Sequence, residues 1–97
     1  YRVSPEEVEL VLAAVPGVRE CAVAERAVGD GVTVICAYVV GEATDEEIVG
    51  ACAATLAAYK RPRHLVRCAS LPRNANGKVV RQALGDLGPG TRIDGLS

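Results

Sequence analysis

Polar caps followed by apolar stripes at helical spacing alternate along this chain with unbroken apolar runs. Ser4-Pro5-Glu6-Glu7 has the form of a helix start, with Ser at the N-cap, Pro at the first helical position and Glu at the third. Val8, Val11, Leu12 and Val15 then share one helical face, and Pro16-Gly17 predicts the stop. Residues 18–25 and 32–40 read as strands around a turn containing Gly29-Asp30-Gly31. The second run is apolar at almost every position, which predicts a central strand covered on both faces. Thr44 with Glu47 forms a capping box, and Ile48, Ala51, Cys52, Thr55 and Leu56 make the buried stripe of a second helix. Residues 64–68 read as a third strand and 80–84 as a short helix. The prediction is an α+β domain, a small mostly antiparallel sheet flanked by helices. Residues 85–97 hold four Gly and one Pro without periodicity and read as a loose tail.

Composition narrows what this domain can be. At 97 residues there is room for one domain and a modest core. Phe, Trp and Met are absent and Tyr occurs three times, so Val, Leu, Ile, Ala and Cys must fill the interior. No apolar run approaches the ~20 residues of a membrane span, and no secretory signal is visible. The cysteines, Cys21, Cys36, Cys52 and Cys68, contain no Cys-x-x-Cys pair, and His64 is the single histidine. That spacing argues against a metal site and for reduced core thiols in a cytoplasmic protein.

The net charge of −1 hides an asymmetry. Residues 1–57 carry ten acidic and three basic side chains, residues 58–97 two acidic and eight basic. The basic half either meets phosphate-bearing partners or neutralises the acidic half across the fold. A nucleic-acid role is disfavoured by three aromatics and no recognised nucleic-acid motif.

One basic side chain stands out by its setting. Lys78 ends the stretch Pro72-Arg73-Asn74-Ala75-Asn76-Gly77-Lys78. Pro, Asn and Gly describe a tight exposed loop, with Gly77 and the Asn residues able to adopt the positive φ values it needs. Such a loop presents one compact ammonium group on a flexible stem, suited to reaching into a site it does not itself form.

Four stretches in register carry a wider resemblance: Tyr1-Arg2-Val3-Ser4-Pro5-Glu6-Glu7-Val8-Glu9, Val15-Pro16-Gly17-Val18-Arg19-Glu20-Cys21-Ala22-Val23, Leu56-Ala57-Ala58-Tyr59-Lys60-Arg61-Pro62-Arg63, and Leu71-Pro72 through Arg81. On these the chain resembles the C-terminal domain of the AMP-forming adenylating enzymes, which include acyl-CoA synthetases, peptide-synthetase adenylation domains and luciferases. The resemblance implies a C-terminal mobile domain over residues 1–84, with residues 1–3 ending a first short strand just beyond an interdomain hinge. The phosphate loop, adenine pocket and acyl pocket belong in that family to an N-terminal domain that these residues do not include. By themselves the 97 residues are expected to be inactive and to bind no cofactor.

The same resemblance implies two half-reactions. A carboxylic acid attacks Mg2+-bound ATP to give an acyl-adenylate, and the thiol of CoA or of a carrier protein then expels AMP. Lys78 matches the lysine of the first step, which stabilises developing charge, with Gly77 shaping its loop. Rotation of the domain then withdraws it. Tyr59, Arg61 and Arg63 lie where several acyl-CoA ligases contact the CoA nucleotide, although this stretch is also a turn motif in members that do not use CoA. Glu7 and Glu9 belong to the motif but are given no catalytic role, and Arg81 reads as an anchor for the last helix or a carboxylate. The Val3–Glu9 stretch is closer to the CoA-ligase form than to the peptide-synthetase form, whose product passes to a carrier. The Pro72-to-Lys78 loop also matches the pattern that lysine acetyltransferases modify in bacterial acyl-CoA synthetases.

Overall fold

A computed structural model of the chain describes residues 4–88 and 90–93, with the side chain of Val28 excepted. Residues 1–3, where the end of a first strand was expected, lie outside the described residues, as do 94–97. Helix α1 spans Pro5–Ala13, strand β1 Val18–Gly29, strand β2 Val32–Gly41, helix α2 Asp45–Thr55, strand β3 His64–Arg67 and strand β4 Thr91–Arg92. Two 3-10 segments, Ala58–Lys60 and Arg81–Leu87, flank β3 in sequence.

The strands lie in the order β1-β2-β3-β4. β1 and β2 form an antiparallel hairpin that pairs Glu20 with Val40 and Glu25 with Ile35. β3 runs parallel to β2, as a strand reached by a helical crossover can, and β4 returns antiparallel to β3. The sheet is therefore the mostly antiparallel, helix-flanked α+β sheet that the pattern predicts.

β2 explains its own composition. Ile35, Ala37 and Val39 pack with Val8, Leu12 and Val15 of the α1 region and with Ile48, Cys52 and Leu56 of the α2 region. Cys36, Tyr38 and Val40 point the other way, joining Ala22, Val66, Leu71 and Leu84 in a second cluster. Alternate residues of a strand face opposite sides, so a strand covered on both must be apolar throughout. The first cluster is roofed by helices. The second is roofed by the segment that carries Lys78 and by the 3-10 turn after it.

The caps divide. The Thr44 hydroxyl accepts from Glu47 N at 3.1 Å, and the Glu47 carboxylate accepts from Thr44 N at 2.8 Å, closing the box at α2. Ser4 precedes α1 without a side-chain bond to the helix backbone. Its hydroxyl donates to the Glu6 carboxylate at 3.2 Å instead. In the α2 stripe, Ile48, Cys52 and Leu56 are buried and Ala51 is half-buried, whereas Thr55 is exposed.

Within the stretch read as a loose tail, Gly85–Leu87 continue the 3-10 turn, and Thr91 and Arg92 pair with Leu65 and His64. Ile93 donates its N–H to the Arg63 carbonyl at 2.8 Å and is buried in the first cluster. A two-residue strand has no periodicity to read. It is held by the edge of β3 and by one apolar anchor, and both are long-range relationships.

Candidate functional site

The Lys78 loop is a small hydrogen-bonded hairpin. Arg73 and Val79 form an isolated antiparallel bridge. Val80 N donates to the Pro72 carbonyl, and Asn74 N to the Lys78 carbonyl, both at 2.9 Å. Gly77 closes the turn by donating its N–H to the Asn74 carbonyl at 2.9 Å, with φ at +83°. A side chain at position 77 would meet open space, so Gly is required there for backbone conformation and not for clearance. Residues 73–78 are all exposed, while Leu71 on one side and Leu84 on the other are buried. The loop thus projects from a packed base.

Lys78 is exposed, and among the described residues its ammonium has no hydrogen-bond or ion-pair partner. Its positive neighbours are already neutralised. Arg73 pairs with Glu20 at 2.7 Å, and Arg81 pairs with Glu9 at 2.6 Å. Both arginines belong to the scaffold, which leaves Lys78 as the cation the loop offers to solvent.

Arg81 is the anchor the sequence suggests. Its Nη1 donates to Glu9 Oε2 and to the Val23 carbonyl, each at 2.6 Å, and Nη2 reaches Glu9 Oε1 at 3.3 Å. Glu9 Oε2 also accepts the Val23 N–H at 2.8 Å. The Glu9 carboxylate stabilises the charged guanidinium and pushes the Arg81 pKa still higher. Glu9 thus ties the last 3-10 turn to α1 and β1. Glu7 accepts from Lys60 Nζ at 3.1 Å and also serves the scaffold.

A second feature lies at the far end of the β1–β2 hairpin. Tyr59, Arg61 and Arg63 line a shallow groove of about 270 Å³ with Glu25 and residues 32–35. Tyr59 is 51% exposed, and Lys60 Nζ sits 5.7 Å from its ring centroid. The three side chains are therefore brought together. Arg61 has a further task that its sequence position does not announce: Nε donates to the Leu56 carbonyl at 2.9 Å and Nη2 to the Ala53 carbonyl at 3.2 Å. These are carbonyls at the end of α2, which has no basic residue in its last turn to satisfy them. The cue was an Arg just beyond a helix end without such a residue.

The two features lie towards opposite ends of the β1–β2 hairpin. Glu20, which holds the Lys78 loop through Arg73, is two residues from Ala22 and so lies on the face of the second cluster. Ile35, in the groove wall, belongs to the helix-side cluster, and Val32 and Val34 line the same groove. Along β1 they are separated by the five residues from Glu20 to Glu25, about 17 Å at a rise of ~3.4 Å per residue.

No group of three or more His, Cys, Asp or Glu among the described residues could hold a metal ion. No helix among them is long and apolar enough to cross a membrane. All four cysteines are unpaired thiols. Burial raises the pKa of each, with the nearby Glu9 carboxylate adding to it at Cys21, which is pushed up to about 11.

Residues 7–78 match the model of the AMP-binding enzyme C-terminal domain. The chain belongs to that family. It is 40% identical over 85 residues to the 2-succinylbenzoate–CoA ligase of Bacillus cereus, an alignment covering 86% of this chain and 18% of that protein. The o-succinylbenzoate CoA synthetase of Bacillus subtilis, solved with its acyl-adenylate intermediate, superposes with a TM-score of 0.84 at 32% identity, over 95% of this chain and 19% of that one. A four-domain nonribosomal peptide synthetase bound to AMP and glycine gives a TM-score of 0.82 at 28% identity, over 95% of this chain and 7% of that one. The chain spans less than a fifth of the length of these relatives.

Proposed function

We propose that this chain is the C-terminal mobile domain of an ATP-dependent carboxylate–CoA ligase, and that it supplies Lys78 to adenylation and the Tyr59–Arg63 groove to the thiol substrate. The observation that carries this reading is the placement of an unpartnered lysine and an arginine-lined groove at opposite ends of one hairpin. A domain built this way can serve one half-reaction with each site, turning between them against an N-terminal domain that holds Mg·ATP and the carboxylic acid. Membership in the AMP-binding family supports the setting, as does the likeness to a CoA synthetase solved with an acyl-adenylate.

In the first half-reaction Lys78 orients the carboxylate and neutralises charge developing on phosphate oxygens. Its ammonium suits this because the scaffold leaves it unpaired, so no ion pair has to break when the loop enters the site. In the second, the Tyr59 ring offers a stacking face, and Arg63 with the rim of Arg61 offers donors to phosphate. The Arg61 bonds to α2 limit its part to the side of the guanidinium that faces the groove. A cytoplasmic setting fits the reduced thiols and the supply of ATP and CoA. Acetylation of Lys78 by a lysine acetyltransferase would remove the charge and switch adenylation off. Peptide mass spectrometry of the complete ligase after such treatment should place the acetyl group on Lys78.

The reading is tested by Lys78→Ala in the complete ligase. ATP–pyrophosphate exchange should fall by about 10²–10³-fold, and exchange within a few-fold of the parent would reject the role. Acceptor choice is read separately, by offering CoA and a phosphopantetheinylated carrier protein to the preformed acyl-adenylate. Turnover on the carrier alone would move the domain to the peptide-synthetase branch, whose fold it shares.

A further inference from the structure

The loop that presents Lys78 has almost no packing to hold its shape. Residues 73–78 are exposed, so the conformation has to come from polar contacts. Asn74 takes part in more of those contacts than any other residue of the loop. Asn74 Oδ1 accepts from Asn76 N at 2.9 Å and from Lys78 N at 3.1 Å. The Asn74 main-chain N–H also donates to the Lys78 carbonyl at 2.9 Å. Asn74 therefore grips both peptide groups of Lys78, one through its side chain and one through its backbone.

A second brace stands behind the first. Arg73 Nη1 donates to the Gly77 carbonyl at 2.8 Å, while Nη2 pairs with Glu20 Oε1 on β1 at 2.7 Å. A planar guanidinium can span two such acceptors at once, and an ammonium on a flexible stem cannot hold both in a fixed geometry. The Arg73 side chain thus fastens the residue before Lys78 to the sheet. Neither brace reaches the Lys78 ammonium; they fix its Cα and leave the side chain to project.

We infer that Asn74, backed by the Arg73–Glu20 pair, is a positioning residue for Lys78, holding the loop in the shape in which its ammonium meets the reacting phosphate. This rests on the role given to Lys78 above. The stem of a lysine is long and mobile, and a group that stabilises a transition state must already be in place when charge develops. Fixing the backbone at both peptide groups removes the freedom that the side chain cannot shed by itself. Loss of the Asn74 oxygen would leave two N–H groups to water and let the loop sample other turns.

The test is made in the complete ligase with five variants, Lys78→Ala among them. Asn74→Ala should lower kcat for ATP–pyrophosphate exchange about 10–100-fold, in line with a misplacement of ~1 Å, with KM for ATP unchanged. Thioester formation from supplied acyl-adenylate should also be unchanged. Asn74→Asp, which keeps the acceptor oxygen, should recover exchange to within a few-fold of the parent. Asn74→Ala added to Lys78→Ala should cost nothing further, because the asparagine acts only through the lysine. Glu20→Ala should give a smaller loss with the same signature. Exchange by Asn74→Ala within about threefold of the parent, while Lys78→Ala is crippled, overturns the inference and leaves the Lys78 role standing. Loss of both half-reactions together, or an additive penalty in the double variant, overturns it as a general structural effect. Parent-like exchange by Lys78→Ala refutes the lysine assignment and the inference with it.

Discussion

Arg81 and Glu9 are 72 residues apart in the chain, yet their side chains meet at 2.6 Å, with the Val23 backbone bonded to both. One guanidinium therefore joins the start of the second 3-10 segment to α1 and to β1. Replacing it leaves a largely shielded carboxylate and a strand carbonyl without their donor. Arg81→Ala should lower unfolding free energy by about 1–3 kcal/mol, towards the lower end because the arginine is partly exposed. Arg81→Lys should recover only part of it, since an ammonium cannot fork between the two acceptors. Urea unfolding followed by circular dichroism gives the answer, and unchanged midpoints would show that the cluster is incidental.

Arg61 separates structure from binding within the Tyr59–Arg63 stretch. Its bonds to Ala53 and Leu56 close α2, so Arg61→Ala should lower stability by about 1–2 kcal/mol whatever the groove binds. Tyr59→Ala and Arg63→Ala probe the groove directly. Each should raise KM for CoA by about 5–30-fold, the worth of one lost charge-assisted or stacking contact. Pyrophosphate exchange should not change in either. Unchanged CoA kinetics in both variants would remove the groove from the thiol site.

Much of this architecture is legible in the chain because it is local. The Thr44–Glu47 box, the Pro16-Gly17 stop and the apolar run of β2 are each contained in a few consecutive residues, and each dictates one backbone outcome. The Lys78 loop was visible for the same reason, as Pro, Asn and Gly in order. What escaped depends on partners far away in sequence. Ser4 looks like a cap for α1, but its hydroxyl takes the Glu6 carboxylate. The Arg61 contacts to α2, the docking of Thr91–Arg92 on β3 and the burial of Ile93 have no local signature, because a two-residue strand or a single guanidinium is specified by what it meets. Asn74 was readable as a turn former, but not as the residue that holds Lys78 by both peptide groups.

The thiols give the domain a pH dependence with a definite sign. Burial and the Glu9 carboxylate raise Cys21 from an ordinary value of 9.0 to about 11, so the folded chain holds that proton more tightly than the unfolded chain does. The stability this confers is intact below pH ~9 and is lost as pH rises towards about 11. The urea midpoint in reducing buffer should therefore fall across that window, and Cys21→Ala should flatten part of the slope. A flat profile in the parent chain would contradict the burial of the thiols.

A division of labour between two separate sites on one sheet is tested most directly by measuring both half-reactions for Lys78→Ala and Arg63→Ala in the complete ligase. Lys78→Ala should lose adenylation by about 10²–10³-fold while forming thioester from supplied acyl-adenylate at near the parent rate. Arg63→Ala should show the reverse, with exchange intact and KM for CoA raised. If both variants lose both half-reactions in the same proportion, the two sites do not serve separate steps and the division is refuted.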